Sequence, residues 1–501
     1  MRIRIALSLL LSLQMLSGVL CADELVLKYD NFKRSLHSWR IPSYWSGSLK
    51  LAEDGGRKVM RLTGTGKKGR PPFGRAFAEF KQIEQYSGTE ISIRVTARGE
   101  GEFLAGLLVY HPGNRRPEYL PGKPVKLTGD FVPHEFSLTI PWRCHKVLPY
   151  LEVKSTGTLS VGEFRLAALI DPEIELSCAG GLRIVKPGVP LEPMVFRTNR
   201  PGDKFALSQL CRDSSRDGVV TADGSGTASV IPVDQGRGLW EIALAKSGRA
   251  AKAYVIMEEA EDFDRSDALA KQVKLDRPMH VLILGDSLSD FYRGYNYVDR
   301  LEFWLNRYNP GRVTIRNAGV HGDYVARMRD RLRGISGEVK NVYCQSRYDR
   351  LFDEKYDLIL IFLGQNDTRT PSDLNYARPL TEPKEQYEGL KEILAFIRER
   401  SAAKVVLISP SPCSEEFIRA RQAKAKPGKK FVLFGKREFV DNYDLVNRRF
   451  CEELKLDYID ILNPMRNAPN MKSLYIRDGV HLSLIGGRFV ADEILRYFIG
   501  K

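Results

Sequence analysis

The stretch Val281-Leu-Ile-Leu-Gly-Asp-Ser-Leu-Ser-Asp290 begins as an aliphatic run and ends in small, polar residues. Four aliphatic side chains in a row suit a parallel strand covered on both faces, since a half-exposed strand alternates. Gly285 permits a tight turn from strand to helix. Ser287 then presents its hydroxyl at a helix N-terminus, where the dipole favours negative charge.

Outward from this stretch the chain alternates strand and helix. Apolar strands are predicted at 281–284, 313–317, 357–364, 404–410 and 457–461, with helical patterns such as "YNYVDRLEFWLNRY" (295–308) and "DNYDLVNRRFCEELK" (441–455) between them. The last helix reads "SLIGGRFVADEILRYFI" (483–499). Five parallel strands with helices on both faces make a flavodoxin-like α/β/α doubly wound sheet over 279–501. Its ligand site belongs at the carboxyl ends of the strands.

Upstream the pattern is different. From 23 to 170 short strands are separated by Gly, Pro and Asn turns, and "ISIRVTARG" alternates Ile91, Ile93, Val95 and Ala97 with Ser92, Arg94, Thr96 and Arg98. This predicts a β-sandwich. A second β region, 171–257, reads as a smaller, immunoglobulin-like sandwich, and 258–278 reads as a linker with a short helix. The fold class is therefore two β-sandwich domains followed by an α/β domain.

Residues 1–22 read as an export signal: Arg2 and Arg4 form a positive n-region, Ala6–Leu20 an apolar core, and Cys21-Ala22 a small-residue exit. Leu20 is not the small residue that a lipoprotein signal wants before its cysteine, so a secreted or periplasmic protein without a lipid anchor is expected. No later run approaches the roughly 18 apolar residues of a membrane span. Export permits disulfides, and Cys178 with Cys211 is a candidate bridge, though spacing leaves connectivity open. No cysteine lies in a CxxC pair, and no HExxH, EF-hand, Walker or GxSxG pattern occurs, so neither metal nor organic cofactor is expected.

The formal charge of +15 falls to about +13 without Arg2 and Arg4. For an exported chain an acidic glycan or anionic cell surface fits this balance better than nucleic acid, and a basic surface with no dedicated partner fits equally well. "RARQAKAKPGKKFVLFGKRE" (419–438) follows the fourth strand and should lie near the site, as an anion-attracting element or a solvated loop.

Three further blocks fall at strand ends or a helix entry: "NAGVHGD" (317–323), "GQND" (364–367) and "RDGVHLS" (477–483). With "GDSLSD" they resemble, in order and in place, the four signature blocks of the SGNH (GDSL-type) hydrolase family, over roughly residues 279–501. A serine hydroxyl needs an adjacent base. His481 is the only histidine downstream of His321, and Asp478, three residues earlier, can orient its imidazole. The resemblance implies a Ser287–His481–Asp478 triad. It also implies an oxyanion hole formed by the backbone amides of Ser287 and Gly322 and the side-chain amide of Asn366, with Gly319 as a competing donor. Asp286 is expected to make buried structural hydrogen bonds.

The reaction this implies is acyl transfer to water, and export together with the accessory β-sandwich points to O-acyl, foremost O-acetyl, groups on a carbohydrate. The β-rich N-terminal region, whose end (157–169) resembles galactose-binding-like jelly rolls, suits a carbohydrate-binding module. Trp39, Tyr44 and Trp45 are candidate sugar-stacking residues there, against the commoner fate of aromatics in a sandwich core. His321 occupies the variable position of its block and is a candidate substrate contact. Two alternatives stand: a lipid esterase or thioesterase, which requires an apolar acyl groove, and a non-hydrolytic glycan-binding cell-surface protein.

Overall fold

A computed structural model describes residues 23–499 except 37, 43–46, 66–72, 79–87, 112–115, 142–143, 145, 172, 212–213, 233–237, 335–346 and 426–430. The export signal, Tyr44, Trp45 and Cys344 lie outside the described residues. The chain divides into two compact units. The first gathers residues up to Gly180 with Glu192–Val233 and Trp240–Ala253; the second gathers Gly181–Leu191, Asp234–Leu239 and the chain from Tyr254 onward.

In the first unit, two antiparallel sheets form a sandwich. One is ordered Val132–Thr139, Glu90–Glu100, Thr158–Ile170, Arg57–Thr63, Ser48–Asp54; the other runs Trp39–Arg40, Phe73–Ala78, Lys146–Lys154, Glu102–Tyr110, Glu118–Pro121. Ile91, Ile93, Val95 and Ala97 all enter the core, facing Leu107, Val109, Val147 and Leu151 of the other sheet. Ser92, expected outside, is buried because its hydroxyl donates to Glu135 at 2.7 Å. Trp39 is a core residue and not a sugar platform: it is 4% exposed, its indole donates to buried Asp30 at 2.8 Å, and Phe164 packs against it edge-on. The second β region adds a sheet of Leu176–Ala179, Met194–Thr198 and Thr227–Val230, and Lys204–Leu210 pairs with Ser215–Thr221. The Cys178–Cys211 bridge is not made.

The second unit is built on five parallel strands, β1 (Met279–Gly285), β2 (Val313–Asn317), β3 (Leu358–Phe362), β4 (Lys404–Ile408) and β5 (Asp457–Ile459), ordered β2-β1-β3-β4-β5. The strands carry near-continuous apolar runs because alternate residues enter different cores. Val281, Ile283, Leu358, Leu360, Val406 and Ile408 enter one core, and Leu282, Leu284, Ile359, Ile361, Val405 and Leu407 enter the other.

Helices α1 (Ala260–Gln272), α3 (Tyr297–Tyr308) and α8 (Leu484–Ile499) contribute to the first of these cores. Helices α4 (Val325–Leu332), α5 (Pro383–Arg398) and α7 (Arg437–Leu454) contribute to the second. Two shorter helices, α2 (Ser287–Asp290) and α6 (Glu415–Ala423), lie at the carboxyl edge. Helix α1 occupies most of the segment expected as a linker, and its Phe263, Leu269 and Ala270 are core residues beside Trp304. Just before it, Glu258 forms an ion pair with Arg300 of α3, both side chains almost wholly buried. Leu182–Val185 pairs in parallel with the end of strand Arg249–Met257, and Ile184 joins the same core. No helix among the described residues is long and apolar enough to cross a membrane.

Candidate active site

Strand β1 ends at Gly285, where a β-carbon would come within 2.3 Å of the Ser289 hydroxyl, so only glycine fits the turn. Asp286 caps the turn by accepting from the Leu288 amide at 2.9 Å. Helix α2 is a single turn of four residues. A macrodipole therefore contributes less than the sequence led one to expect, and the unpaired first-turn amides carry the effect. No acceptor for the Ser287 amide occurs among the described residues.

Ser287, His481 and Asp478 meet. The His481 Nε2 stands 3.0 Å from the Ser287 Oγ, and its Nδ1 stands 2.5 Å from the Asp478 Oδ2. The other carboxylate oxygen accepts the Val480 and His481 amides at 2.8 and 2.9 Å, so one tight loop fixes both residues. Burial pushes the Asp478 carboxyl up, but the His481 contact and the two amides outweigh it and hold it below its ordinary value. An ionised carboxylate only accepts, so Nδ1 carries the imidazole proton and Nε2 is left to accept from the serine. Phe291 lies against the imidazole, ring centres 4.5 Å apart.

The Gly319 amide is engaged by Asn317 Oδ1 at 2.9 Å. The amide of Gly322, at φ +77°, meets no acceptor among the described residues. The Asn366 side-chain amide points both hydrogens at protein groups, the Asp323 carbonyl at 3.0 Å and Asp286 Oδ2 at 3.2 Å. Burial, with Asp367 and Asp323 nearby, pushes Asp286 up to about 7.

His321 lies on the same rim, its ring 6.0 Å from that of Phe291. Its Nδ1 and backbone amide both contact Asp290 Oδ2, at 3.1 and 3.0 Å. Asp290 also receives Arg293 at 3.0 Å and Arg347 at 2.5 Å, and the two guanidinium groups donate onward to the carbonyls of Asn317 and Gly319. This cluster fixes the loop that carries Gly322, and sequence reasoning missed it. Asp290 was in the opening stretch, and Arg293, three residues on, was the available signal.

A cavity of about 180 Å³ opens beside Ser287 and His481, walled mainly by apolar surface of Leu288, Phe291, Tyr292, Tyr295 and Leu482. The basic segment also reaches the site. Arg421 donates to the Asp478 carbonyl at 2.8 Å, and Val432–Leu433 pairs with Thr370–Pro371.

Residues 283–488, all within the α/β unit, match the model of the GDSL-like Lipase/Acylhydrolase family. The Arabidopsis thaliana protein called GDSL esterase/lipase CPRD49 is 29% identical over 142 residues, 28% of this chain and 53% of the relative. The chain thus spans about half the length of the curated relatives it matches. A lipase/acylhydrolase structure from Enterococcus faecalis is 21% identical, covering 44% of this chain and 96% of that one at a TM-score of 0.32. A xylan-binding domain from Paenibacillus barcinonensis is 11% identical, covering 29% and 96%, at a TM-score of 0.25.

Proposed function

We propose that the protein is an exported serine esterase that removes O-acyl groups, foremost O-acetyl, from a carbohydrate. The observation that carries the reaction type is the imidazole of His481 set between the Ser287 hydroxyl and the Asp478 carboxylate, at 3.0 and 2.5 Å. His481 takes the serine proton as Oγ bonds to the acyl carbon, then returns it to the departing alcohol. Water, activated by the same imidazole, hydrolyses the acyl-serine. The negative charge on the acyl oxygen is met by the amides of Ser287 and Gly322. Asn366 joins them by releasing its longer bond, to Asp286.

The test is acetate release from acetylated xylan and p-nitrophenyl acetate by wild type and S287A. A fall of at least about ten-thousandfold in kcat is expected. Undiminished release by S287A refutes the reading.

The apolar cavity favours a second reading, an acyl chain longer than acetyl. A volume of about 180 Å³ is far above the roughly 10–15 Å³ that one water needs, and leaves room for a chain of several carbons. On this reading kcat/KM rises about fourfold per added methylene along a p-nitrophenyl ester series until the cavity is full. A series that peaks at acetate discards it.

A further inference from the structure

Arg369 follows the third block by two residues and is half-buried at the carboxyl edge of the sheet. Its Nη1 lies 3.5 Å from the Asn366 amide oxygen, and its guanidinium stands 5.8 Å from the centre of the Tyr324 ring. No carboxylate among the described residues forms an ion pair with it. Asp367 acts on it through space, but that carboxylate turns Oδ1 to the Val325 amide and the Thr381 hydroxyl, and burial pushes it up to about 6.

Like charge also acts on it. Arg327 donates to the Gly322 carbonyl at 2.9 Å, and burial together with Arg327 draws the Arg369 pKa below the usual arginine range. Two guanidinium groups therefore hold the far sides of the two groups beside Ser287 that are proposed to face the reacting oxygen. The strand Thr370–Pro371, which follows Arg369 directly, pairs with Val432–Leu433 of the basic segment.

A half-buried cation without an ion-pair partner is unfavourable unless something anionic completes it. A planar guanidinium matches the oxygens of a carboxylate or sulfate. We infer that Arg369 receives a negatively charged group of the substrate, so that the ester is borne by an anionic molecule such as a uronic acid or a sulfated sugar. This rests on the serine-esterase reading and narrows its substrate class.

Three acetylated substrates test it: a methyl glucuronoside, the matching neutral glucuronamide, and a glucose 6-sulfate. Each is assayed with wild type, R369Q and R369K, at low and high salt. Wild type is expected to favour the anionic esters over the amide by roughly tenfold in kcat/KM, with the ratio shrinking as salt screens the charge. R369Q brings the ratio close to one, and R369K leaves it intermediate. The ranking of carboxylate and sulfate identifies which anion fits.

A wild-type ratio at or below one overturns the inference. So does a ratio that R369Q leaves unchanged while both rates fall together, because Arg369 then acts only through Asn366. Should R369Q not fold, the salt dependence of the wild-type ratio still decides. Failure of wild type to hydrolyse any of the three overturns the esterase reading itself, whereas hydrolysis without charge preference overturns this inference alone.

Discussion

Gly319 donates its amide hydrogen to the side chain of Asn317 at 2.9 Å, while Gly322, three residues on, keeps its amide clear of any described acceptor. The two glycines of one block are thereby set apart, and Gly322 is the one able to face a reacting oxygen. In G322A the β-carbon would lie 3.1 Å from the Arg327 guanidinium at a left-handed φ. The variant is expected to lose about 1–2 kcal/mol of stability. Alanine keeps the backbone amide but strains the loop that aims it, so kcat should also fall, by less than the roughly hundredfold of a deleted donor, with little change in KM. Thermal melts and steady-state kinetics on a p-nitrophenyl ester check both.

D478N separates charge from shape. Two backbone amides hold Oδ1, so the amide oxygen of asparagine takes that place and its NH₂ group faces His481. The ring is then pushed into the tautomer that protonates Nε2 and cannot accept from Ser287. Folding should be retained and kcat should fall by about ten-thousandfold.

Asp286 makes stability depend on pH. Folded, it holds its proton up to about pH 7; unfolded, it releases it near pH 4. Between those limits the folded chain binds more protons, so stability falls as pH rises, by up to about 4 kcal/mol from this group. Denaturant melts from pH 4 to 7 should show a shallower decline in D286N than in wild type. D286N should also slow catalysis, since its amide turns a donor towards that of Asn366.

The buried pair of Glu258 and Arg300 makes a prediction far from the chemistry. R300M leaves a carboxylate sealed in an apolar core and is expected to destabilise the protein by about 3–5 kcal/mol. E258Q with R300M together should recover part of that loss. Urea denaturation of the single and double variants measures the coupling.

The sheet was legible because its strands are covered on both faces: 313–317 stands as predicted, and the other four predicted strands overlap β1, β3, β4 and β5. The meeting of Ser287 with His481 across 194 residues was legible only through the ordered blocks. The segment 258–278 was read as a linker with only a short helix because the exposed faces of α1 are polar and few apolar anchors, Phe263 and Leu269 among them, mark its buried side. Trp39 was left open between core and sugar platform because the deciding partner, Asp30, carries no local signal of burial. The Asp290 cluster depends on Arg347, 57 residues away, and no spacing rule announces such a contact.

The α/β unit draws strand Leu182–Val185 and helix α1 into the core that also holds Trp304. An expression clone opened at residue 279, where the strand–helix rhythm starts, would strip those apolar walls and expose greasy surface to solvent. Anyone trimming this protein for crystals or screening should keep the upstream β region attached, because the α/β unit cannot be excised with a single cut.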